Sequence, residues 1–262
     1  MGRGMLTIAV CAFCAVEMGL KNRGSLCRTR FWFQRPIGTS RTVVHTAIVS
    51  MPCPLRELNL PGRAGDRQEV LAMIHHMIMT ADEAIEKLKS GNTRYLLTNN
   101  NSGNVSAALR KFTYEHGQHP HAIIVTCSDS RVIPETIFSA GLGELFVIRV
   151  AGNVIDDHQL GSIEYAAGHL GSPVVVVLGH THCGAVDAAI NSDPEGYIKF
   201  ITDEIKLAIG DETDDYKACC LNVKRSVELI EHSLDIQQIE EQEGLRVVGA
   251  MYHIEDGSVE FL

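Results

Sequence analysis

Unbroken apolar runs, rather than alternating ones, set the pattern of this chain. Ala122–Thr126 (Ala-Ile-Ile-Val-Thr), residues 144–150 (Glu-Leu-Phe-Val-Ile-Arg-Val), residues 173–178 and Arg246–Tyr252 each read as a strand covered on both faces. Helical periodicity fills the intervals, at residues 134–139, from about Leu160, from about Gly184, and over 195–209 and 215–233. In the second of these, Ile163, Ala166, Ala167 and Leu170 share one face and Gly171 fits the position that ends the helix. Strand–helix repetition with continuous apolar strands predicts an α/β fold with a mainly parallel central β-sheet covered by helices. Asp256-Gly257 is a hairpin turn signal, so residues 259–262 are expected to add an antiparallel edge strand at the C-terminus. Ahead of the first strand, Thr80-x-x-Glu83 has the form of a capping box. Ile85, Leu88, Tyr95 and Leu96 follow near helical spacing, interrupted by Ser90-Gly91-Asn92, and after a polar loop at 99–104 a second helix is expected over about 105–115. These two helices make an N-terminal helical arm.

Residues 1–66 follow a different pattern. A short apolar run at 6–16 lies behind Arg3, in the outline of a signal-peptide core, and the stretch after it is basic and almost free of acids. Residues 1–50 hold Arg3, Lys21, Arg23, Arg28, Arg30, Arg35 and Arg41 against Glu17 alone, so the chain's net charge of −9 divides into +6 there and −15 over residues 51–262. Cys11-x-x-Cys14 has no second pair at zinc-knuckle spacing. We expect 1–66 to be a poorly structured leader or a mis-assigned start, with Met73, Met77 and Met79 as alternative starts, and 67–262 to be a single domain that includes the helical arm. The net charge gives no indication of a nucleic-acid partner. No apolar run approaches the roughly 18–20 residues of a membrane span. The expected compartment is the cytoplasm, or an organelle or the exterior if 1–66 is a targeting segment. Eight cysteines in 262 residues that are 45% hydrophobic do not make a disulfide scaffold. Adjacent Cys219 and Cys220 read as small hydrophobes on a helix.

Chemistry gathers where two of the strands end. Cys127-Ser128-Asp129-Ser130-Arg131 follows the first, and His180-Thr181-His182-Cys183 follows the third. Open parallel sheets bind ligands at the carboxyl ends of their strands. Thiolate and imidazole are the donors zinc favours, and three protein ligands that leave a fourth position for water mark a catalytic zinc. Cys127, His180 and Cys183 supply such a set. His182 competes with His180, which is preferred here only because it stands three residues before Cys183. Asp129 has two possible tasks: to fill the fourth coordination position and close the site, or to orient a water on the metal. Arg131 favours the second, because a guanidinium binds a carboxylate bidentately and occupies it. A cysteine nucleophile is weaker, since Cys-x₃-Arg is too short to cradle phosphate, and no G-x-G-x-x-G follows the first strand.

These residues resemble the β-class carbonic anhydrases, in their short prokaryotic-type branch. Cys-Ser-Asp-Ser-Arg at 127–131 and His-Thr-His-Cys-Gly at 180–184 are similar to that family's two zinc signatures, and 144–153 and 161–166 also look like family segments. The resemblance runs from about Met79 to Leu262. It implies one Zn²⁺ per subunit on Cys127, His180 and Cys183, with Asp129 as fourth ligand in a closed state. It makes Asp129 and Arg131 the catalytic dyad, and Gln118, Phe146, Ala151 and Tyr165 substrate-binding residues. The implied enzyme is a zinc lyase that hydrates CO₂ reversibly to bicarbonate and a proton, with zinc hydroxide as nucleophile. The implied assembly is a homodimer or homotetramer with sites at the subunit interface. A CS₂ or COS hydrolase on the same fold, or a non-catalytic zinc-binding regulator, is the alternative.

Overall fold

β-Branched residues build the centre of the molecule. The computed structural model describes residues 79–262 and, ahead of them, the backbone of two strands. These are β1 (Leu26–Trp32) and β2 (Thr46–Pro52), paired antiparallel with Leu26 opposite Pro52. Hydrophobic patterning predicts neither. The rest of the leader expected over 1–66, including Cys11-x-x-Cys14, lies outside the described residues, as does His75-His76. The chain divides into two compact units, Met1–Ile78 and Met79–Leu262.

The second unit runs α1 (Ala81–Thr98), α2 (Ala107–His116), β3 (Ala122–Thr126), α3 (Pro134–Ile137), β4 (Leu145–Arg149), a 3₁₀ turn at Ala151–Asn153, α4 (Asp157–Leu170), β5 (Val174–His180), α5 (Gly184–Asn191), α6 (Ile198–Ile209), α7 (Asp215–Glu231), α8 (Leu234–Glu243), β6 (Arg246–Tyr252) and β7 (Val259–Phe261). The five-stranded sheet has the order β4-β3-β5-β6-β7. The first four are parallel and β7 is antiparallel to β6, as expected of the edge strand. Successive side chains of a strand point to opposite faces. Ile123, Val125, Val175 and Val177 therefore pack with Ile163, Ala167, Val186, Ile205, Val223 and Ile236 from α4 to α8. Ala122, Ile124, Val174, Val176 and Leu178 pack the other way, with Ala84 and Leu88 of α1 and Ile137 of α3. Both faces are covered, which is why the strands carry no alternation.

Two elements differ from expectation. Helix α1 starts with the capping box on Thr80 and Glu83 but runs straight through Ser90-Gly91-Asn92. Gly91 is there for close approach: a Cβ at this position would stand 1.9 Å from the carbonyl oxygen of Phe138. Buried Asn92 docks the helix through its amide, which donates to the carbonyls of Ile137 (3.2 Å) and Gly257 (2.9 Å). Helix α8 is absent from the sequence reading, which ends the preceding helix at Ser233 and places nothing before Arg246. The Ser233 side chain instead caps a further helix, accepting from the Ile236 amide. Of that helix's ten residues only Ile236 is buried, too little apolar pattern to signal it.

Candidate metal centre

Neighbouring strands β3 and β5 run parallel, with Thr126 alongside Leu178. Their carboxyl ends therefore bring Cys127 and His180 to one place. The chain then turns, and Cys183 stands at the N-cap of α5. The Sγ atoms of Cys127 and Cys183 are 4.0 Å apart. With a ring nitrogen of His180 they form a set of three donors all within 4.8 Å of one another, the only such group among the described residues. All three side chains are buried.

The hydrogen bonds decide which atoms face inward. His180 Nδ1 lies 2.9 Å from the carbonyl oxygen of Thr181. A carbonyl only accepts, so Nδ1 carries the proton and Nε2 presents its lone pair. That Nε2 is buried without a hydrogen-bond partner. A buried acceptor with no donor is costly unless a cation satisfies it. Two thiols and this nitrogen match the donors and coordination number of a zinc ion that keeps its fourth position open. The thiols share their charge unevenly. The hydrogen bond from Cys183 pulls the Cys127 thiol down to about 4 against its burial, assisted by His180 and by the amides of Gly152 and Asp129. Cys127 and burial push Cys183 up. A divalent cation bound between them supplies the charge that keeps thiolates ionised in a buried site.

Asp129 is turned away from the donor set. Arg131 donates to its carboxylate through Nε to Oδ1 (3.0 Å) and through a terminal nitrogen to Oδ2 (2.7 Å), and the Arg131 amide adds a third bond to Oδ1 (2.9 Å). The guanidinium holds the Asp129 carboxyl down at about 2. Asp129 stands outside the set of three donors, its carboxylate occupied by Arg131. His182 is excluded from the donors by its backbone: at φ 53° it sits in the left-handed region, its side chain exposed and 3.5 Å from Asp215.

The expected substrate residues do not all join this centre. Ala151 stands next to it in the chain, opening the 3₁₀ turn in which the Gly152 amide donates to Cys127 Sγ (3.3 Å). Gln118 lies before β3, so the strand separates it from Cys127 by about 16 Å at the usual rise. It lines an open surface depression with Arg110, Thr113, Tyr114 and Leu145. Phe146 sits in register with Ile123, towards the amino end of the sheet, 6.3 Å from the ring of Tyr165 on α4. Sequence reasoning misses two supporting residues. Arg149, the charged end of an otherwise apolar strand, donates to the carbonyls of Cys127 (3.2 Å) and Asp129 (2.6 Å). Asn222 of α7, only 2% exposed, donates to the Gly152 carbonyl (2.7 Å). The signal for Arg149 was its place at the strand end; a lone Asn on a helix gives none.

A family model described as carbonic anhydrase matches residues 122–259. A carbonic anhydrase of Mycolicibacterium smegmatis is 35% identical over 190 residues, which cover 68% of this chain and 91% of that protein. Carbonic anhydrase 2 of Mycobacterium tuberculosis is 36% identical over 186 residues, 66% of this chain and 89% of that protein. Among solved structures, the β-carbonic anhydrase CafA of Aspergillus fumigatus superimposes with a TM-score of 0.53 at 28% identity, covering 59% of this chain and 85% of that one.

Proposed function

This chain belongs to the carbonic anhydrase family, and from that premise we propose that Cys127, His180 and Cys183 hold one Zn²⁺ per subunit beside a working Asp129–Arg131 dyad. The reaction is the reversible hydration of CO₂ to bicarbonate and a proton. The observation that carries the site assignment is the cluster of three donors beside a carboxylate already held by a guanidinium. When bound, zinc acidifies a water so that it attacks CO₂ near neutral pH. The protein's own residues do the rest. Oδ1 of Asp129 takes two bonds from Arg131 and Oδ2 one, so Oδ2 keeps a lone pair, and it accepts a hydrogen bond from the reacting water, aligning it. Arg131 keeps that carboxylate ionised and away from the metal. Gly152 fixes the direction of the Cys127 sulfur.

The same reading extends to assembly. Gln118, Phe146 and Tyr165 lie apart from the donor set of their own protomer, so they meet substrate by lining the site of another copy in a homodimer or homotetramer. It includes residues 67–262 as the enzyme, 1–66 as a leader or a mis-assigned start, and the cytoplasm as the compartment, or an organelle or the exterior where 1–66 acts as a targeting segment. No helix among the described residues is long and apolar enough to cross a membrane. Hydrolysis of CS₂ or COS and a non-catalytic role are not favoured: the matched relatives are named carbonic anhydrases, and a non-catalytic site has no need of Asp129 and Arg131.

The test is CO₂ hydration with metal analysis on the native sequence and Asp129→Ala. We expect about one zinc per chain in both proteins and a fall in kcat of at least about a hundredfold in the variant. Unchanged turnover in a zinc-loaded variant would remove Asp129 from the chemistry.

A further inference from the structure

Helix α7 meets the metal centre at its first turn. Asp214 caps the helix, accepting from the Lys217 amide (3.0 Å). Its neighbour Asp215 therefore has no part in capping. Asp215 Oδ2 instead accepts the backbone N–H of His182 (3.0 Å). His182 holds the left-handed φ of 53°, a conformation that histidine rarely adopts unless its surroundings impose it. In that conformation its carbonyl accepts a hydrogen bond from the Arg131 guanidinium (3.1 Å). The nitrogen that makes this bond is the one that holds Asp129 Oδ2 at 2.7 Å. A continuous path thus runs from Asp215 through the His182 peptide and Arg131 to Asp129. The preceding residue adds a second anchor, since the Thr181 hydroxyl accepts the Ile254 amide (3.1 Å). The Thr181 amide donates to the Tyr252 carbonyl at the end of β6 (3.1 Å), and the peptide joining Thr181 to His182 is held from both sides, its carbonyl by His180 Nδ1 and its N–H by Asp215.

We propose that Asp215 is a positioning residue for the dyad. It fixes the N–H side of His182 and so helps hold this residue in its left-handed conformation, in which the His182 carbonyl gives Arg131 an anchor besides Asp129; that anchor holds the guanidinium in place and the carboxylate off the metal. Asp215 touches neither substrate nor donor set and acts through Arg131. The inference rests on the reading of Asp129–Arg131 as the working pair. An ordinary role is also open to Asp215, as an acidic residue favoured in the first turn of a helix and paired with the exposed His182 side chain. The two differ in what they require. The dipole and the ion pair need the negative charge; the positioning role needs only an acceptor, which asparagine also offers.

The experiment compares Asp215→Ala, Asp215→Asn, Arg131→Ala and the Asp215→Ala/Arg131→Ala double variant in the full zinc-loaded protein. Zinc content and thermal melts confirm folding. In Asp215→Ala kcat should fall roughly tenfold, the scale of losing one well-placed hydrogen bond, with KM little changed. Asp215→Asn should recover most of that loss, and the double variant should be no slower than Arg131→Ala. A readout independent of turnover is the Arg131 Nε–H signal in ¹⁵N NMR. It should be slow to exchange in the native protein and Asp215→Asn, and broadened in Asp215→Ala. Equal losses in Ala and Asn, additive losses in the double variant, or native turnover with a sharp Arg131 signal in Asp215→Ala would each overturn the proposal. An Arg131→Ala protein with native turnover would instead bring down the dyad reading beneath it.

Discussion

Single hydrogen bonds determine what the metal centre can do. The Thr181 carbonyl takes the proton-bearing side of His180 and leaves Nε2 inward. The Gly152 amide takes one lone pair of the Cys127 sulfur. Gly152 can do this only because it lies at φ 68°, and a Cβ there would stand 2.7 Å from Ile205 Cδ1 and 3.1 Å from Ala185 Cβ. The Ile205 methyl can swing aside, but the Ala185 methyl and the left-handed backbone cannot relax as easily. Gly152→Ala should therefore lose about 1–3 kcal/mol of folding stability and hold zinc less tightly, as read by denaturant titration and metal competition. Native values for both would show that the turn accommodates a side chain. At this scale the sequence reveals the groups that do chemistry, because reactive side chains at strand ends stand out from apolar runs. It conceals those that act on peptides. Arg149, Asp215 and Asn222 contact backbone carbonyls or amides of residues far away in the chain, and such contacts leave no spacing to read.

Elements were legible where burial is two-sided or a cap is local. β3 and β6 have the bounds that their apolar runs predict, and Thr80 caps α1 as its motif requires. The docking of elements was not, because it rests on pairs separated by dozens of residues. Lys87 of α1 and Glu144, just ahead of β4, are such a pair, 2.8 Å apart, with the Gly141 amide on the other carboxylate oxygen (2.6 Å). Burial raises the Glu144 pKa, but Lys87 and Gly141 together outweigh it and hold the carboxyl below its usual range. A carboxyl depressed by folding stabilises the protein above the unfolded value of about 4.3, and that contribution disappears as the pH falls further. Lys87→Met leaves the carboxylate with its burial and without its cation. It should cost about 1–2 kcal/mol at pH 7, allowing for partial exposure. The deficit should shrink towards pH 4, where Glu144 takes up a proton instead. Urea unfolding at the two pH values measures this, and a deficit independent of pH would show that Lys87 acts by packing alone.

At the scale of the whole molecule, α2 is the part of the arm that a single copy leaves unexplained. Helix α2 has ten residues and buries none of them. A helix of that length is marginal in water without tertiary packing. Its surroundings nevertheless hold Val105 at 67%, Phe112 at 37% and Tyr114 at 89% exposure. Arg110, Thr113 and Tyr114 line the same open surface depression as Gln118, so the unpacked helix and the residue proposed to meet substrate lie on one surface. A second copy placed there would bury the apolar side chains and bring Gln118 to another subunit's donor set in the same step. The expected species in sedimentation is therefore a dimer or tetramer. Val105→Glu together with Tyr114→Glu puts two charges into that contact and should shift the protein towards monomer. Zinc content should not change, since Cys127, His180 and Cys183 all come from one chain. Turnover should fall at least about tenfold, because the chemistry keeps its dyad but loses residues that position substrate. A zinc-loaded monomer with native turnover would show that one chain completes its own site, and would return Gln118 to an ordinary surface role.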